Sequence, residues 1–168
     1  MTSTTLSIAI PAATAIAVAS LSALAAYLAS KRERRRALYS EAVKAAVAWE
    51  EMLFRVRRRS ADQERELVDT FHTLQDDLTY HRAWVGSESK YMKRSYDKLA
   101  AEVKKATAEL ITEAWTKPIR PVPGNALPDD VCPELAPFVD AFLRDVRSHL
   151  SPWFWRKLAV VWRNWRDD

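Results

Sequence analysis

LYSEAVKAAVAWEEMLFRV, residues 38–56, contains no glycine or proline and spaces Leu38, Ala42, Ala45, Trp49, Met52 and Val56 at intervals of 4, 3, 4, 3 and 4. Side chains at that spacing share one face of an α-helix, so the stretch reads as amphipathic and needs a partner surface. The same interval recurs twice. Leu67, Phe71, Leu74, Leu78, His81 and Val85 form a second stripe, and Met92, Tyr96, Leu99, Val103, Ala106 and Leu110 a third that leads on to Trp115. Three helices of similar length with short connections fold back on one another as an antiparallel bundle. Between the first two, RRRSADQE offers Ser60 and Asp62 as N-caps. Gly86-Ser87-Glu88 reads as a C-terminal glycine and a fresh cap, and Lys117-Pro118 ends the third helix.

Composition agrees with an all-α chain. Among 168 residues only two are glycine, 48% are hydrophobic, and the single cysteine, Cys132, has no cysteine or histidine cluster around it. A disulfide framework and a structural zinc site are therefore excluded by residue type. No nucleophile, phosphate-loop or dinucleotide motif occurs, so the reading is of a non-catalytic protein with no cofactor.

Toward the amino terminus the pattern changes. Leu6 to Ser30 holds no charged residue, long enough as a helix to exceed the roughly 30 Å hydrocarbon thickness of a bilayer. Lys31, Arg32, Arg34, Arg35 and Arg36 follow at once, and nothing basic precedes the apolar run. By the positive-inside rule this is a single span with the following chain in the cytoplasm, and the lipid bilayer is the first expected partner. Two other readings of the same residues exist: a signal peptide, for which Ala23-Leu24-Ala25 supplies a cleavage site, and a soluble alanine-rich helix, since the run is alanine-rich and carries Pro11. Ala15, Ala19 and Ala23, like Ser22, Ala26 and Ser30, recur every four residues, a spacing that lets spans approach closely and would allow homo-oligomers through the membrane. An alanine-rich helix also produces that spacing by chance.

The layout expected is an N-out anchor over residues 1–30, a cytoplasmic bundle over 31–117, a proline-rich strap over 118–136 and a C-terminal helical pair over 137–168. The segment 118–137 contains six prolines, which rules out a long helix there. A PxxP ligand is its functional reading and a stiff connector the plainer one. The first C-terminal helix begins near Pro137 and presents Phe138, Phe142, Val146 and Leu150, while Ser151-Pro152 reads as the cap and first position of the second.

That last helix, WFWRKLAVVWRNWR, residues 153–166, puts Phe154, Trp155, Leu158, Val161, Trp162 and Trp165 on one side and Arg156, Lys157, Arg163 and Asn164 on the other. Trp155, Arg156, Trp162, Arg163 and Trp165 are the candidate interface. Two arrangements suit it: an in-plane helix on the inner leaflet, or an aromatic face closing the bundle. Trp153 and Val160 interrupt the polar side and tip the reading toward closure of the bundle.

Two weaker signals remain. His72 with Asp76 and Asp77 with His81 stand at i, i+4, a spacing compatible with a metal, but the two pairs lie about 180° apart around a helix. Glu50 and Glu51 of the first helix are the candidates for completing such a site. Arg55, Arg57, Arg58 and Arg59 form a second basic cluster some 35 Å along the first helix from Lys31, placed to meet nucleic acid or an acidic partner. No nucleic-acid motif accompanies it, so a solvated helix end is the simpler reading and nucleic acid is not an expected ligand.

The arrangement of one N-terminal apolar run, a KRERRR flank and a compact helical domain resembles small single-pass proteins of high-GC Gram-positive bacteria and their phages. The resemblance covers the layout and implies no activity and no site residues. The function expected is thus a membrane-anchored interaction or regulatory protein with a protein partner. The alternatives are a membrane-bound metalloenzyme using His72 and His81, and a peripheral binder acting through Arg55 to Arg59.

Overall fold

In the computed structural model, residues 3–60, 62–118 and 132–165 are described, the side chains of 3–13 excepted. Among them there are five helices and no strand: α1 Ser3–Arg57, α2 Glu64–Glu88, α3 Lys90–Thr116, α4 Ala136–His149 and α5 Phe154–Arg163. Most of the proline-rich strap lies outside the described residues. The chain divides into two compact units, Met1–Ala37 and Leu38–Asp168, and each is taken by itself below.

The first unit is the amino-terminal part of α1. It contains a stretch long and apolar enough to cross a membrane, and none of that stretch is buried against protein. Ile16, Val18, Leu21, Leu24, Tyr27 and Leu28 are all exposed. Arg36 reaches Glu33 one turn back at 3.5 Å, a solvent-exposed pair of the kind that contributes little.

In the second unit α1 packs with α2 and α3 in a bundle, as the three repeated stripes require. Ala42, Ala45, Trp49, Met52 and Val56 are buried and Leu38 is half-buried. The buried set is wider than the expected stripe, because Tyr39, Ala46 and Leu53 are buried as well. The cause is that this helix meets three neighbours. Trp49 stands edge-on to Phe71 of α2 at 5.5 Å, and Leu53 and Val56 cluster with Ala114 of α3. Tyr39 stands edge-on to Phe142 of α4 at 6.2 Å. Phe142 also contacts Tyr96 of α3 at 5.7 Å, so α4 contributes to the principal core. Full burial of such a side chain stabilises the fold by about 1.5 to 3 kcal/mol relative to leaving it in water.

Chain reversals differ from the sequence reading in their caps. Gly86 lies inside α2 and has no positive φ; the helix runs on to Glu88. Ser89 alone forms the connection, closing α2 through its backbone N–H to the Val85 carbonyl and opening α3 by accepting from the Met92 N–H at 3.4 Å. A Cβ there would stand 3.0 Å from Lys93 Cδ, part of a flexible side chain that can give way by a few tenths of an ångström. Arg82 then ties the two helices together, its Nε and Nη2 donating to Asp97 at 2.6 and 3.1 Å. At the other reversal neither Ser60 nor Asp62 caps α2. Gln63 holds the N-cap position, and its side-chain oxygen accepts from the Ser60 N–H at 3.3 Å. Ser151 is likewise not the cap of α5, which starts at Phe154; the serine is buried and accepts from the Trp153 N–H.

Candidate interface on the C-terminal helix

Helix α5 sits on the bundle through its polar edge. Val160 and Asn164 are its buried side chains. The Asn164 side chain donates to Asp145 of α4 at 3.0 Å and to the Val160 carbonyl at 3.0 Å. The Arg163 guanidinium donates to the other Asp145 oxygen through Nε at 2.8 Å, and its Nη2 stands 2.6 Å from that oxygen. Ser95 of α3 completes the shell, its hydroxyl donating to Asp145 at 2.8 Å. Arg94 of α3 donates to the Asn164 carbonyl at 3.0 Å, satisfying an acceptor at the end of α5. A buried carboxylate held by a guanidinium, an amide and a hydroxyl is compensated for its lost hydration, and it fixes the rotation of α5 about its own axis.

That rotation turns the aromatic side outward. Trp155, Trp162 and Trp165 are 51%, 71% and 62% exposed, and Trp153, Phe154 and Leu158 are exposed beside them. Trp153 stacks on Trp155 with centroids 4.7 Å apart, and Phe154 stands edge-on to Trp155 at 5.2 Å, so the rings make a continuous surface. Trp155, Leu158, Ala159, Val161, Trp162 and Trp165 line an open trough of about 420 Å³. The expectation that this face closes the bundle is therefore reversed, because the interior position it would fill is taken by the Asp145 network. Of the five candidate interface residues, Trp155, Arg156, Trp162 and Trp165 are exposed, while Arg163 is committed to Asp145. Asp145 and Ser95 were not singled out by sequence, and Asn164 was placed only on the polar side of its helix. The signal was present, since Asp145 falls three residues after Phe142 and Ser95 three after Met92, on the apolar registers of their helices.

The second basic cluster separates into different roles. Arg59 is 6% exposed and reaches across to the carboxyl end of α3. It donates to the carbonyls of Ala114 at 2.7 Å, Trp115 at 2.7 Å and Lys117 at 2.9 Å, with Val56 at 3.0 Å on its own side. The last carbonyls of a helix lack intrahelical donors, and a planar guanidinium supplies them. Its guanidinium also lies 5.3 Å from the Trp115 ring centre. Arg58 pairs with Glu51 at 3.3 Å and donates to the Phe54 carbonyl; Arg57 lies 5.9 Å from the Phe54 ring centre. Arg55 is exposed. A four-arginine patch is thus reduced by the burial of Arg59 in a structural role.

In the flank, Lys31, Arg32, Arg34 and Arg36 are exposed and Arg35 half-buried. His72 is exposed and borders a groove between α2 and α3 with Phe71, Ile111 and Trp115. His81 is half-buried and edge-on to Tyr80 at 5.3 Å. Among the described residues no three His, Cys, Asp or Glu side chains come together in a way that could hold a metal ion. Burial, and then the adjacent Glu51 charge, raise the Glu50 carboxyl above its ordinary value.

No protein-family model, curated protein or solved structure matches the chain. The functional reading rests on these side chains alone.

Proposed function

We propose that this protein is a membrane-anchored helical interaction protein, held by residues 6–30 in a bilayer with its bundle on the cytoplasmic side and with no catalytic role. The observation that carries the reading is the exposed apolar part of α1, whose charge-free sequence ends in five cations within six residues. Apolar side chains of that length and continuity are stable in hydrocarbon and costly in water. Cations on one flank alone oppose translocation of the chain that follows them. The outward aromatic face of α5 supports an interaction role, because an apolar surface of that extent is seldom left to solvent.

A topology assay tests this directly. A reporter joined after Asp168 should behave as cytoplasmic, and mass spectrometry of the membrane-extracted chain should find its first residues retained. Changing Arg32, Arg34, Arg35 and Arg36 together to Glu should scramble the orientation, since acidic residues supply none of the retention that arginines do. A mature chain beginning at Ala26 would sink the anchor reading.

A further inference from the structure

Helix α5 has its amphipathic character turned inside out with respect to the bundle. Its amide and one of its guanidiniums point inward to a buried carboxylate, and its indoles point outward. Four of the seven tryptophans of the chain fall within residues 153–165, and all four are exposed. Arg156 and Lys157 are exposed beside them, and no acidic residue occurs between Ser151 and Trp165.

We infer that α5 is a second membrane contact: the surface of Trp155, Leu158, Trp162 and Trp165 lies in the headgroup zone of an anionic bilayer, with Arg156 and Lys157 on lipid phosphates. The inference rests on the anchor reading above and adds to it a defined lipid-facing element. Two observations select lipid over other occupants. The exposed apolar area is mainly indole, the side chain that partitions to the boundary between hydrocarbon and water. The helix is cationic and without acidic side chains, which complements anionic headgroups.

The test uses the full chain reconstituted into vesicles, with Cys132→Ser and Leu158→Cys carrying an environment-sensitive dye. Leu158 is exposed, so the substitution leaves the core untouched. In vesicles containing phosphatidylglycerol with brominated acyl chains, the dye should shift to the blue and lose about half its emission, as a probe at the acyl boundary does. A dye on Lys105→Cys, exposed on α3, should do neither. In phosphatidylcholine vesicles or at raised salt the quenching should fall by about half or more. Trp162→Ala with Trp165→Ala should lower it further at an unchanged melting temperature, since both rings are exposed. A chain that floats with the vesicles while the dye stays aqueous overturns this inference and leaves the anchor standing. A blue shift without quenching that grows with the protein-to-lipid ratio overturns it in favour of a second copy. A chain that does not float overturns the anchor reading and this inference with it.

Discussion

Arg59 donates to the carbonyl of Ala114 at 2.7 Å, joining the end of α1 to the last turn of α3 across 55 residues of chain. With the bonds to Trp115 and Lys117 it replaces, for one helix end, the donors that a further turn would have supplied. Arg59→Ala should therefore destabilise the chain by about 2 to 4 kcal/mol, because buried acceptors lose a charged donor. Arg55→Ala should stay within about 0.5 kcal/mol. Arg59→Lys should rescue little, lacking the planar fork that reaches three carbonyls. Denaturant titrations of the three variants in detergent decide the matter; equal midpoints for Arg59→Ala and the parent would refute it.

The stripes rank the core. Leu99 is almost wholly buried, so Leu99→Ala should cost about 2 to 5 kcal/mol. Trp49→Ala should fall in the same range, with the added loss of its edge contact to Phe71 and of Lys104, whose ammonium lies 4.9 Å from the ring centre. Leu74, half-buried, should cost less, and exposed Glu109→Ala close to nothing. A flat response across the four would show that these helices do not pack by these faces.

Tyr96 gives an alkaline signature. Its hydroxyl is buried and has no hydrogen-bond partner among the described residues. Burial foremost, followed by the charges of Asp77 and Asp97, raises its ionisation well above that of an exposed phenol. The folded chain thus resists losing this proton while the unfolded chain gives it up near pH 10, so the stability is present below that pH and falls as pH rises above it. Tyr96→Phe should remove this part of the alkaline loss. At neutral pH it should be neutral or mildly stabilising, because a buried orphan hydroxyl is a cost. Melting curves from pH 8 to 11, on roughly that range of phenol titration, carry the test.

Asp145 is the anchor of α5. Asp145→Ala should raise hydrogen exchange through Phe154–Arg163 while leaving α2 and α3 protected, since the carboxylate is the shared acceptor for Ser95, Arg163 and Asn164. Exchange that rises uniformly along the chain would instead make Asp145 a part of the general core.

Periodicity carried the fold as far as periodicity can. The stripes through Trp49, Leu78 and Leu99 were legible because one spacing recurred three times, and all three residues are buried. What remained hidden depended on partners distant in sequence. Arg59 reads as one of a basic run until the carboxyl end of α3 is beside it. Trp155 and Trp162 read as core on a helical wheel, and a wheel shows two faces without showing which one the neighbours occupy. Asp145 decided that, and its meaning depended on Asn164 and Ser95 arriving from two other helices. Caps were misread for a smaller reason: Ser89 and Gln63 each stand a few residues from an equally suitable Ser or Asp, and local geometry chooses between them.

The one-residue link at Ser89 has a kinetic consequence. Helices α2 and α3 meet through neighbours in sequence and close a short loop, whereas Arg59 and Tyr39 must wait for partners far downstream, so the loop-closure entropy of the two events differs. The hairpin is expected to form first and to serve as the template on which α1 and then α4 settle. During synthesis the seam from Tyr39 to Val56 would emerge before any of its partners and stay uncovered while they are made. Through that interval the uncovered seam is open to non-native apolar contacts.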